Sequence, residues 1–103
     1  MSNTYAGGSI TAFAVGSTQT TGAASARIAI PANSAAENPR YIRVAAINET
    51  YVKLGSSTVT ATTNDVLIQP ADAAVFAVNG ATHIAYIQGT AAGKVNVIPL
   101  ENM

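Results

Sequence analysis

Short stretches in which apolar and polar side chains alternate one by one, each cut off by a turn signal, fix the fold class of this 103-residue chain. Alternation with a period of two places one set of side chains on each face of an extended strand. Ala26, Ile28 and Ile30 alternate with Arg27 and Ala29, and Pro31 ends the run. In the stretch from Arg40 to Asn48, Ile42, Val44 and Ala46 share one face, while Tyr41, Arg43 and Ala45 share the other. Val52 and Leu54 alternate with Tyr51 and Lys53 across a turn at Asn48-Glu49-Thr50, so this pair reads as a hairpin. Further strands are expected over 58–62, 66–69, 73–78, 82–88 and 94–100, with breaks at Gly55-Ser56-Ser57, Thr63-Asn64-Asp65, Pro70, Asn79-Gly80 and the 89–93 segment. Prolines 31, 70 and 99 sit at strand ends, where a missing backbone donor costs least. The 32–39 segment reads as a loop, with room for one helical turn over 34–37, and no segment holds a helical period beyond two turns.

About eight short strands at this spacing predict an all-β fold, an antiparallel β-sandwich in which each strand has one core face and one solvated face. Jelly-roll and immunoglobulin-like topologies both satisfy the pattern. A chain of this length buries roughly 65% of its unfolded surface, enough for one core without a covalent staple. The division expected is an N-terminal arm over 1–24, with room for an edge strand, followed by the sandwich over 25–103. The arm stands apart because it carries no charged residue and is rich in Gly, Ser, Thr and Ala. Within it only the 10–15 run, from Ile10 through Phe13 to Val15, has the character of a strand.

Charge narrows the function classes. Five basic residues balance five acidic ones, and charged residues are 10% of the chain, against about 25% in an ordinary soluble domain. Nucleic acid and anionic membranes, which need clustered Lys and Arg, are not expected partners. A neutral, charge-poor surface opposes association weakly, which suits a protein that works covered or assembled. No apolar run approaches the ~20 residues of a membrane span, and no secretion signal is expected at the N-terminus.

Nor do the residues assemble a catalytic signature, so no enzyme activity is expected. With no cysteine, thiolate metal sites and cysteine nucleophiles are excluded. His83 is the one histidine, and Glu37, Glu49, Asp65, Asp72 and Glu101 all fall in turns, loops or the tail. They show no metal-ligand spacing, no serine elbow and no phosphate-binding glycine loop, and neither cofactor nor metal is expected. Asn48-Glu49-Thr50 matches a glycosylation sequon, a pattern short enough to arise by chance. What remains is surface for contact. Tyrosine offers a large area and a polar tip, and so favours interfaces. Candidate contact residues are Tyr5, Ile10, Phe13 and Val15 on the arm, and Tyr41, Arg43, Tyr51 and Lys53 on outward strand faces. Tyr86 shares a face with Ile84 and is expected in the core.

The run from Ala46 through Asn48-Glu49-Thr50-Tyr51-Val52-Lys53-Leu54-Gly55 to Thr62 resembles small structural proteins of tailed bacteriophages. Asp65-Val66-Leu67-Ile68-Gln69-Pro70, Val75-Phe76, Gly80-Ala81-Thr82-His83-Ile84-Ala85 and Lys94-Val95-Asn96-Val97 extend the likeness over roughly 40–98. Within that group the chain is most similar to the cement, or decoration, proteins of short-tailed phages. The resemblance implies a compact jelly roll on the outer surface of the capsid, made in the bacterial cytoplasm. It also implies a dimer, or alternatively a trimer, bound to the phage major capsid protein across capsomer boundaries. The family's pattern carries no catalytic residue. A head-fibre base, tail or adaptor component, or a carbohydrate or host-receptor module, are the alternatives.

Overall fold

The computed structural model describes residues 15–70 and 72–100. Eight strands follow one another: β1 Ser17–Thr20, β2 Ala26–Ala29, β3 Tyr41–Ile47, β4 Thr50–Gly55, β5 Val66–Ile68, β6 Ala73–Ala77, β7 His83–Gln88 and β8 Lys94–Pro99. They form two four-stranded sheets, ordered β1-β8-β3-β6 and β2-β7-β4-β5, with antiparallel pairing throughout. The protein is an all-β sandwich.

Strand order selects between the two topologies left open by the sequence. β1 pairs with β8, β2 with β7, β3 with β6 and β4 with β5. These nested pairs describe one long antiparallel ribbon folded back at the β4–β5 link and then wrapped, which is the jelly-roll wrap. The remaining pairs, β3 with β8 and β4 with β7, close each sheet across the wrap.

The wrap also overturns the expected hairpin. β3 and β4 lie in different sheets, so Asn48-Glu49 carries the chain from one layer to the other. Asn48 adopts φ 66°, a left-handed conformation that asparagine tolerates, and its side-chain amide donates to the Ala92 carbonyl at 2.7 Å. Asn79-Gly80 makes a similar crossing between β6 and β7. Both residues have positive φ, 52° and 82°, and Ala81 N–H donates to Val78 C=O across the turn. A turn signal in the sequence is thus read correctly as a turn, but it does not say which strand the chain pairs with next.

Alternation predicts the core well. Ile42, Val44, Val52, Ile84, Val95 and Val97 are fully buried between the sheets, and Ile68, Tyr86, Ile30 and Val78 join them. One strand expectation fails locally. The 58–62 run, β-branched and read as a strand, is a loop, because Val59 and Ala61 turn inward onto the outer side of β7 instead of pairing. The first described strand is Ser17–Thr20, and the edge strand expected over 10–15 lies almost wholly outside the described residues. Of that run only Val15 lies among the described residues, outside any strand; Tyr5, Ile10 and Phe13 fall outside them. Residues 34–37 form a turn rather than a helical one. Asn33 Oδ1 accepts the N–H groups of Ala35 and Glu37, and Ala36 sits at φ 61°.

Candidate interaction surfaces

The two outer faces of the sandwich are finished differently. On the β2-β7-β4-β5 sheet, the register puts His83, Ala85 and Ile87 of β7 outward, beside Tyr51, Lys53 and Gly55 of β4. The 56–65 loop folds over this face. Val59 and Ala61 pack on Ala85 and Ile87, leaving Ala85 fully buried although it points away from the core. Ala61 N–H donates to Ser25 Oγ at 2.9 Å, which ties the loop to the start of β2. Gly55 allows the close approach, since a Cβ there would meet Val59 Cγ2 at 2.8 Å. Asp65 holds the far end: its Oδ2 accepts Thr62 N–H at 2.7 Å and Thr62 Oγ1–H at 3.2 Å.

The β1-β8-β3-β6 sheet has no such cover among the described residues. Its register turns Tyr41, Arg43, Ala45 and Ile47 of β3 outward. Alongside lie Ala73, Val75 and Ala77 of β6 and Asn96 and Ile98 of β8. Ile47 is 63% exposed and Val15, just before β1, is 89% exposed. A hollow of about 240 Å³ opens on this face among Thr18, Ala45, Ala46, Ile47, Lys94 and Asn96. The charges on its strands are Arg43 and Lys94, both cationic. This outer face thus joins apolar side chains to positive charge, and its strands hold no acid.

Tyr41, Arg43, Tyr51 and Lys53 all point outward, as the alternation implies, but they do not share a surface. Tyr41 and Arg43 lie on the bare sheet, and Tyr51 and Lys53 on the opposite one. The expected hairpin would have put the two tyrosines on the same outward face of paired strands; the wrap puts the sandwich between them. The apolar neighbours Val75 and Ile98 were not legible beforehand, because only the three-dimensional register brings them beside Arg43.

At one end of the sandwich a second depression of about 510 Å³ is lined by Asn38, Pro39, Arg40, Tyr41, Ala77, Asn79 and Gly80. Asn38 spends its amide on Ala81 C=O at 2.8 Å. His83 Nδ1 lies 2.9 Å from Thr82 Oγ1, and no three His, Asp or Glu side chains gather as a metal-binding group among the described residues. Burial raises the Tyr86 phenol above its ordinary pKa of 10.0, as expected for a core tyrosine. No helix among the described residues is long and apolar enough to cross a membrane.

Fold and surface together define a jelly-roll sandwich with one face covered by its own 56–65 loop and the other uncovered among the described residues. No protein-family model, curated protein or solved structure matches the chain.

Proposed function

We propose that this protein is a virion structural protein, a decoration protein that binds the outside of a tailed-phage capsid and bridges its major capsid protein capsomers. The observation that carries the reading is the outer β1-β8-β3-β6 face, uncovered among the described residues, rich in apolar side chains and free of acidic strand residues. An exposed apolar field spread across neighbouring strands offers contact area to a broad protein surface. Arg43 and Lys94 would pair with acidic groups on the shell. The resemblance of the 40–98 region to phage structural proteins points the same way. A clamp that binds only the assembled shell lowers that state's free energy, and many copies acting on one lattice make modest contacts sufficient.

The test is co-sedimentation of purified protein with undecorated heads of the phage that encodes it, together with gel densitometry of mature virions. Saturable binding with hundreds of copies per particle, lost in Arg43→Glu, supports the reading. Tens of copies or fewer would assign the chain to a head-fibre base, tail or adaptor instead. Removing residues 1–15 should weaken shell binding while leaving the sandwich folded.

A second reading rests on the depression between Arg40, Tyr41 and Asn79, where an aromatic ring adjoins polar side chains in the manner of a sugar-binding site. Glycan-array binding abolished by Tyr41→Ala would favour a carbohydrate or host-receptor module.

A further inference from the structure

A sandwich of open sheets has four edges, and three of them here are guarded. β1 and β2 are four residues long, β5 is three, and β2 carries Arg27. Short or charged edges resist pairing with another chain. β6, Ala73–Ala77, is the exception: five residues, no charge, no proline and no bulge in its pairing with β3.

The backbone directions along β6 follow from two hydrogen bonds. Val78 N–H donates to Arg40 C=O at 2.8 Å, and Leu100 N–H donates to Tyr41 C=O at 3.0 Å. In an antiparallel ladder the bonding direction alternates residue by residue. Arg40, Ile42 and Val44 therefore bond toward β6, and Tyr41, Arg43 and Ala45 bond toward β8. On β6 itself, Ala74 and Phe76 bond to β3. The N–H and C=O groups of Ala73, Val75 and Ala77 point out of the sheet edge, where no strand lies among the described residues.

We propose that this edge pairs with β6 of a second copy, antiparallel about a two-fold axis at Val75, joining two sheets into one of eight strands. A two-fold contact must be self-complementary, and this one is. Centring it on Val75 pairs Ala73 with the partner's Ala77, Val75 with the partner's Val75, and Ala77 with the partner's Ala73. Every outward backbone group is then satisfied. The same register aligns Asp72 with the partner's Val78. Because Val78 lies opposite Arg40 within each copy, Asp72 and the partner's Arg40 fall on one row, about 10 Å apart at two strand spacings. Arg40 and Asp72 are exposed, and among the described residues neither side chain has a partner of its own. The pairing therefore places opposite charges at both ends of the contact. The two Arg43 side chains stay three strand spacings apart, about 14 Å, too far to repel strongly in salt. This association does not depend on shell binding, and the two can fail separately.

The test is the solution mass of the full chain by light scattering and sedimentation at high micromolar concentration, with circular dichroism to confirm folding. The wild type should run as a dimer. Val75→Lys puts two ammonium groups in direct opposition and should give a monomer. Asp72→Arg should weaken the dimer, and Arg40→Asp with Asp72→Arg should restore it, since the swap exchanges the two ends of the same pair. Both charges are exposed, so these variants remain informative even if Val75→Lys fails to fold. A wild type that stays monomeric, a dimer unchanged in folded Val75→Lys, or a charge swap that does not rescue Asp72→Arg would overturn the assignment.

Discussion

Gly93 should tolerate no side chain, and Gly22 should tolerate one freely. Gly93 sits where the ends of β1, β3 and β8 converge. A Cβ built on it falls onto the Ile47 carbonyl oxygen and within 2.8 Å of the carbonyl carbon and 3.0 Å of Asn48 Cβ. The backbone there cannot slide away, because Thr21 clamps it from both sides. Thr21 N–H donates to Gly93 C=O at 2.9 Å, and Gly93 N–H donates to Thr21 Oγ1 at 2.8 Å. The obstacle is thus main chain, and Gly93 is held against it by one main-chain and one side-chain hydrogen bond. Overpacking of this kind costs typically 1–3 kcal/mol and occasionally more, so Gly93→Ala should cost about 3 kcal/mol. For a domain near this size, a loss of that order lowers Tm by roughly 12–24 °C. Gly22 has nothing within 4 Å of its Cβ position and no left-handed φ. Gly22→Ala should therefore be neutral or stabilise by about 0.4–1 kcal/mol, through the entropy removed from the unfolded chain. Urea melts of both variants, followed by circular dichroism, make the comparison. If the two substitutions have equal effects, or Gly93→Ala shifts stability by less than about 0.5 kcal/mol, the corner does not close as described.

Three further outcomes are expected. Ile84→Ala empties a fully buried position facing the opposite sheet and should cost about 2–5 kcal/mol in denaturant melts. Asp65→Ala removes the acceptor for Thr62 N–H and Oγ1–H at an exposed turn and should cost about 1 kcal/mol, with faster amide exchange confined to the 56–65 loop. The Tyr86 phenol, its pKa raised by burial, keeps its proton in the folded state at pH values where the unfolded chain releases it. Stability should therefore hold below 10.0 and decline as pH rises from there through the raised folded value, and Tyr86→Phe should make the decline shallower.

Alternation made the strands and their inward faces legible, because burial between two sheets imposes the same two-residue period that the sequence displays. Ile42, Val44, Val52, Leu54, Ile84 and Tyr86 all turn the way their spacing implies. Pairing was not legible. A jelly roll joins strands distant in sequence, such as Ser17 with Val97, and nothing local distinguishes a turn that makes a hairpin from one that changes layers. Asn48-Glu49 and Asn79-Gly80 look alike in both roles. The 58–62 run misled for a related reason. Its β-branched residues are apolar enough to be covered, but what they cover is the outer side of β7 rather than a neighbouring strand. The bare sheet face was half legible: Tyr41 and Arg43 stood out, whereas Val75 and Ile98 joined them only through register.

That β6 contributes to both proposed surfaces involves no conflict, because a strand presents its side chains and its backbone at right angles. Ala73, Val75 and Ala77 send their side chains out of the bare face and their N–H and C=O groups into the plane of the sheet. A flat partner can lie on the face while a second copy extends the edge, and pairing across β6 would double the apolar field that a shell could cover. Arg43, one strand inward, belongs to the face alone, and Asp72, at the strand's end, belongs to the edge. Arg43→Glu should therefore lose shell binding and stay dimeric. Asp72→Arg should shift the dimer equilibrium and leave each monomer's face chemically intact. A shared loss in both variants would mean that one surface performs both tasks, and the separation of face from edge would have to be abandoned.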